Sequence, residues 1–210
     1  MQWIFIDHGS GIMNETWPEI KKRKLIERRG DIFDWEQSLV LALIACVLLF
    51  TFVVRVVSVS GTSMLDTLQN NDRIVVSNLF YTPKRGDVVV LRKEEFSSEP
   101  LVKRIIATEG QTVTIDFEAG IVYVDGEPLD EPYAREPITR KIDFDGEVLV
   151  PEGCLFVLGD NRNGSTDSRD LRIGCVDARL IMGKAIWLLV PGGDQKNGIS
   201  PDWSRMGIIP

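Results

Sequence analysis

Three short stretches carry residue types from which a catalytic site could be built: Ser63 in GTSM (61–64), Lys103 in LVKRIIA (101–107), and the run GDNRNGSTDSRD (159–170). A serine hydroxyl is a poor nucleophile until a base removes its proton. The chain has a single histidine, His8, in the N-terminal tail. That excludes Ser-His-Asp and Cys-His catalysis and histidine-based zinc sites. A base working near neutral pH must then be a carboxylate, a lysine or a tyrosine with a displaced pKa. Lys103 is the leading candidate. It sits in an apolar strand-like run beside Arg104, and alternation should send one of the two to each face. Pointing inward, it would lose hydration and with it part of its basicity. A solvated edge position is the competing reading. Lys184 in MGKAIWLL is a rival on burial grounds, while Lys84 and Lys93 lie in polar turns.

The run at 159–170 admits several readings. A calcium loop fails, because Arg162 falls within it and no glutamate closes it. A self-bonded turn is the plain alternative. The functional one is a network fixing an active site, in which Asp167 and Arg169 pair and Ser165 meets a neighbouring amine. GTSM alone reads equally as a solvated turn.

The elements that must position these residues follow from the hydropathy pattern. Residues 39–54 are uncharged, and extension to Val57 reaches the ~20 residues that cross a hydrocarbon core. The segment KKRKLIERR (21–29) precedes this run with six basic residues against one acid, which sets the N-terminal tail inside and everything after Val57 outside. A cleaved signal peptide is disfavoured by the long n-region and long apolar run. The expected organisation is a cytoplasmic tail (1–34), a transmembrane anchor helix (35–57), an extracytoplasmic domain (58–190) and a C-terminal extension (191–210). Beyond residue 57 the chain holds short Val- and Ile-rich runs punctuated by Gly, Pro and Asp, and no helical period lasts three turns. A mainly β fold follows, an antiparallel barrel-like or sandwich-like domain, with TVTIDFEAGIVYVDG forming a hairpin.

The net charge of −7 argues against a nucleic-acid partner. Cys46 falls in the apolar run. Cys154 and Cys175 lack metal-site spacing and are open to either a disulfide or burial as thiols. No residue set calls for a cofactor or a metal.

In order, an apolar segment, SVSGTSMLDTL (58–68), RGDVVVLR (85–92), LVKRIIATEGQTV (101–113), VYVDGEPLDEPY (122–133), VPEGCLFVLGDNRNGSTDSRD (150–170) and MGKAIW (182–187) resemble the bacterial type I signal peptidases, peptidase family S26. The resemblance spans roughly 36–190, and WSRMGI (203–208) looks more loosely like a family ending. It implies a membrane-bound serine endopeptidase with Ser63 as nucleophile and Lys103 as general base. Ser165 holds the lysine amine, Asp167 and Arg169 form a supporting ion pair, Asp160 and Asn161 a structural turn, and Met64 follows the nucleophile. It further implies signal-peptide-bearing preproteins as substrates, cut after small residues of Ala-x-Ala type, and a bacterial cell-membrane location with the lipid bilayer as a partner. The Ser63 N–H is the expected oxyanion donor. A serine that some relatives carry two residues earlier is here Gly61.

The main departure is Asp66, where the family pattern SMxPTL has proline. Either Asp66 points to solvent, or its charge favours protonated Lys103 and moves activity to alkaline pH. A catalytically weak relative that binds secretory substrates is the alternative function. A self-cleaving repressor is disfavoured by the apolar anchor, and a sortase by the lack of a Cys–His pair. The RGD at 85–87 reads as a turn into GDVVVL.

Overall fold

A computed structural model describes residues 35–48, 54–193 and 200–210. The chain divides into two units, residues 1–48 and 49–210. In the first, residues 35–48 are helical, with Leu39, Leu43, Ile44, Val47 and Leu48 all exposed. Fourteen helical residues rise about 21 Å, short of a hydrocarbon core of about 30 Å. No helix among the described residues is long and apolar enough to cross a membrane. Residues 49–53, on which part of the expected anchor falls, lie outside the described residues.

The expected anchor also ends too late. Val54–Ser58 is strand β1, paired residue for residue with β2 (Arg73–Ser77) from Val54↔Ser77 to Ser58↔Arg73. VRVVS is dense in β-branched side chains, which favour the pleated conformation, and β2 offers it a complete ladder.

The remaining strands are β3 (Val88–Leu91), β4 (Leu101–Thr108), β5 (Thr112–Asp116), β6 (Ile121–Val124), β7 (Glu127–Pro128) and β8 (Glu147–Leu149). They are followed by β9 (Cys154–Leu158), β10 (Val176–Asp177), β11 (Ile181–Val190) and β12 (Gly207–Ile208). One sheet runs β1-β2-β11-β3-β4-β9-β10 with β12 on β11, and a second runs β7-β6-β5-β8. Every pairing is antiparallel, as expected of a mainly β chain. The hairpin expected at TVTIDFEAGIVYVDG is β5–β6, and Asp125 and Gly126, both at positive φ, turn β6 into β7.

β4 lies between β3 and β9, and its residues 102–107 are all buried. Alternation therefore sends Lys103 and Arg104 to opposite faces without exposing either. One apolar cluster gathers Val59, Met64, Leu68, Ile74, Val76, Leu188 and Ile209, so residues on both sides of Ser63 are anchored in the core. Ile209 belongs to the segment expected as a separate extension. Instead, residues 207–209 bond to β11, and Ile209 closes over this cluster.

Candidate active site

Ser63 lies in the loop of residues 59–72, which joins β1 to β2. The loop is closed at its base by Val59 N–H to Asp72 O (2.8 Å) and Asn71 N–H to Val59 O (2.9 Å). The contact from Leu68 N–H to Met64 O (2.7 Å) winds a turn just past Ser63. Met64 and Leu68 point into the core, leaving Ser63 at the surface of the turn, half-buried.

Lys103 on β4 faces it. Its Nζ lies 2.7 Å from Ser63 Oγ. The lysine is 3% exposed, and loss of hydration pulls its pKa from the ordinary 10.5 down to about 8. Asp167 and Asp160 oppose that fall and Arg169 adds to it. The strand is therefore a hydrophobic holder that strips water from one amine and aims it at one hydroxyl.

The segment after β9 supplies the surroundings. Asp167 and Arg169 are fully buried and paired through Arg169 Nε (2.8 Å) and Nη2 (2.9 Å). The guanidinium also donates to the Arg140 and Arg162 carbonyls, and Asp167 accepts the Gly159 N–H (3.1 Å). Burial of this pair is tolerable because its donors and acceptors are met. Asn161 donates from its backbone N–H to Ser63 O (3.0 Å) and from Nδ2 to Thr62 O (3.0 Å). Ser165 Oγ is buried and without a hydrogen-bond partner, so no bond to Lys103 is formed here. A Cβ at Gly159 would collide with both Ser165 Oγ and the Ser63 carbonyl oxygen. Only glycine permits that approach of β9 to the serine loop.

Asp160 does more than make a turn. Buried, it accepts two bonds from Arg104 (2.9 and 2.8 Å) and one from Thr67 Oγ1 (2.5 Å). Arg104 also donates to the main-chain oxygens of Gly86 and Pro210, and the Tyr133 ring stacks on it at 3.9 Å. Arg104, Thr67 and Tyr133 escaped the sequence reading. Their one legible signal was an arginine placed in an apolar run.

Asp66 is exposed and lies 4.0 Å from Arg135, itself partly exposed, so its carboxylate faces solvent and a cation. It is not among the groups that displace Lys103. Lys184 pairs with Asp87 at 2.5 Å, and Lys93 donates to the Ile173 carbonyl, so neither meets the serine. Cys154 and Cys175 are free thiols packed against the small-sheet core, and burial pushes the Cys175 thiol up to about 11. Clefts of about 490 and 540 Å³ lie elsewhere, one lined by Arg92, Glu95 and Arg179, the other by Phe80, Tyr81 and Lys184. Neither Ser63 nor Lys103 lines either of these clefts.

A β-rich domain that buries one lysine against one serine hydroxyl, with no histidine among the described residues, has the parts of a serine hydrolase that takes its base from lysine. The family model described as "Signal peptidase, peptidase S26" matches residues 32–190. Probable signal peptidase I-1 of Synechocystis sp. is 37% identical over 73% of this chain and 80% of its own. Signal peptidase I of Bacillus licheniformis is 32% identical over 81% and 95%, and signal peptidase I S of Bacillus subtilis 31% over 83% and 98%. A solved signal peptidase I from Enterococcus faecalis, 29% identical, aligns over 50% of this chain and 97% of that chain with a TM-score of 0.42. The chain belongs to the peptidase S26 signal peptidase family, and with it to the hydrolases that cut peptide bonds.

Proposed function

We propose that this protein is a membrane-anchored endopeptidase that removes N-terminal signal peptides from exported preproteins, with Ser63 as nucleophile and Lys103 as general base. The observation that carries the reading is the 2.7 Å contact between Ser63 Oγ and the buried Lys103 amine. Neutral Lys103 accepts the Ser63 proton as Oγ attacks the scissile carbonyl, and the protonated amine then donates to the departing nitrogen. The acyl-enzyme is released by a water that Lys103 deprotonates in turn. The Ser63 N–H, which bonds no acceptor among the described residues, is free to meet the oxyanion, whereas the Gly61 N–H is held by Asn70 Oδ1 (2.9 Å).

The Asp167–Arg169 pair supports the surroundings of the lysine while satisfying its own charges, and Ser165 is assigned the role of taking up the amine as it turns. Specificity for small residues before the cut, of Ala-x-Ala type, comes from shallow apolar pockets that exclude larger side chains. The apolar helix of residues 35–48 serves as part of the anchor. The basic tail stays in the cytoplasm and the catalytic domain faces out, so the dyad works beside the bilayer where cleavage sites emerge. That raises the effective concentration of substrate.

The test is cleavage of an Ala-x-Ala peptide by the detergent-solubilised chain, with Ser63→Ala and Lys103→Ala as controls. Cleavage by the wild type and loss in both variants is expected. A silent wild type across pH 6–10, or an active lysine variant, would overturn the reading. The weaker alternative, a relative that binds without cutting, rested on Asp66 disturbing the base, and Asp66 is turned to solvent and Arg135.

A further inference from the structure

The serine loop is fastened by residues that lie outside the span matched by the family model. Asp72, at its base, is fully buried. It accepts the Gln69 N–H (2.7 Å) from within the loop and the Gly192 N–H (2.6 Å) from the end of β11. A Cβ at residue 192 would strike the main chain of Asn70–Asp72, so glycine is what lets the two segments meet. The cation facing Asp72 is Arg205, bound through Nη1 (3.1 Å) and Nη2 (2.7 Å), with Nη2 also reaching the Thr67 carbonyl (3.4 Å). Arg205 is aimed by its own short turn, Trp203–Arg205, whose Asp202 carboxylate accepts from Ser204 N–H and Oγ.

Four residues on, Ile209 is buried in the cluster that holds Val59, Met64 and Leu68. The main-chain oxygen of Pro210 then accepts from Arg104 (2.8 Å), the neighbour of Lys103 on β4. Residues 202–210 thus touch the nucleophile's loop at two points and the base's strand at a third. Arg104 and Asp160 close the circuit back to Thr67.

We propose that residues 202–210 are a brace for the dyad, with Arg205 as its positioning residue: it ties the serine loop to the tail so that Ser63 stays in register with Lys103. The brace deepens the reading of the site as a Ser/Lys peptidase and rests on it for the role of the two residues. Arg205 touches neither reacting group. It acts by holding the loop down, and a loop held down also keeps water from the lysine. Loosening it therefore has two effects on one site: a longer Ser63–Lys103 separation and a better hydrated amine. Besides Ser63, the charged groups bearing on that amine are Asp167, Asp160 and Arg169, none of which the tail replaces.

The experiment compares wild type, Arg205→Met, Arg205→Lys and, as a charge-matched control, Arg179→Met, whose exposed side chain pairs with Asp177. Steady-state cleavage of an Ala-x-Ala peptide is measured from pH 6 to 10 on protein shown to be folded by thermal unfolding. For Arg205→Met, kcat falls by about tenfold or more with KM within about twofold, because transition-state alignment is lost rather than binding. The pH midpoint moves alkaline as the lysine regains water. Arg205→Lys recovers part of both, and Arg179→Met behaves as wild type.

An Arg205→Met protein with wild-type kcat and midpoint overturns the proposal. So does a loss of activity at an unchanged midpoint that follows only the unfolded fraction. If Arg205→Met does not fold, Arg205→Lys decides, since it retains the charge but not the paired geometry, and wild-type behaviour there overturns the brace. The Lys103 titration, followed by NMR on protein carrying 13C-labelled lysine side chains, reads the brace without substrate. A silent wild type then counts against the function alone, while an unmoved Lys103 titration in Arg205→Met counts against the brace.

Discussion

Lys103, the proposed base, is held at a cost to the fold, because burial disfavours its charged form. With its pKa near 8, about a tenth of the amine is neutral at pH 7. The kcat/KM of the free enzyme should therefore climb about tenfold per pH unit below that point and level off above it. A flat profile between pH 6 and 9 would rule out this lysine as the base. The same displacement has a cost in stability. A cation whose pKa is lower folded than unfolded destabilises the fold below about 8, and the penalty fades as pH rises through 10.5. Its size at pH 7 is on the order of 3 kcal/mol. Lys103→Met, near in volume and uncharged, should be inactive yet melt at higher temperature than wild type at pH 7, with the gap narrowing toward pH 10. Asp66 gives the opposite kind of expectation. Exposed and facing Arg135 at 4.0 Å, it belongs to the class of surface pairs worth little. Asp66→Pro should keep the wild-type midpoint, and an acid-ward move of half a unit or more would restore the electrostatic role that its sequence position had raised.

At the scale of elements, the buried Asp167–Arg169 pair holds the segment after β9 beside the lysine. Asp167→Asn leaves a buried guanidinium short of its carboxylate and should lower stability by about 3–5 kcal/mol in thermal or urea unfolding. It also removes a group that raises the Lys103 pKa, so the rate midpoint should move to lower pH, opposite to the shift expected for Arg205→Met. Which elements were legible before the structure depended on whether their signal was local. Val- and Ile-rich runs such as RGDVVVLR (85–92) and LVKRIIATEGQTV (101–113) do contain strands, because period-2 patterning and turn residues are written within a few positions. β1 was hidden, since VVRVV continues an apolar run and reads equally as the end of a helix. Ser63, Lys103 and the Asp167–Arg169 pair stood in compact motifs. Thr67–Asp160 and Asp72–Arg205 did not, because contacts 93 and 133 positions apart leave no spacing to read. On β4 the alternation argument held for the faces, since Lys103 and Arg104 take opposite ones, but two-faced burial leaves neither of them exposed.

For the whole molecule, the division at residue 48 separates the apolar helix from the β-domain that holds the dyad. If the first unit serves to tether, a chain lacking residues 1–53 should cleave a short soluble peptide with a kcat/KM within about threefold of the full chain. On a preprotein embedded in vesicles it should fall behind by about 100-fold, the advantage that confinement to one surface confers. Equal losses on both substrates would mean that the first unit is needed for the site itself.

The circuit through Arg104, Asp160, Thr67 and Arg205 also orders events in time. Ser63 and Lys103 both precede residues 202–210 in order of synthesis, so the contacts of Arg205 with Asp72 and of Pro210 with Arg104 form only after both have been made. On the proposed brace, the pair comes into register when residues 202–210 fold back on it, which makes the dyad a late product of folding rather than an early one.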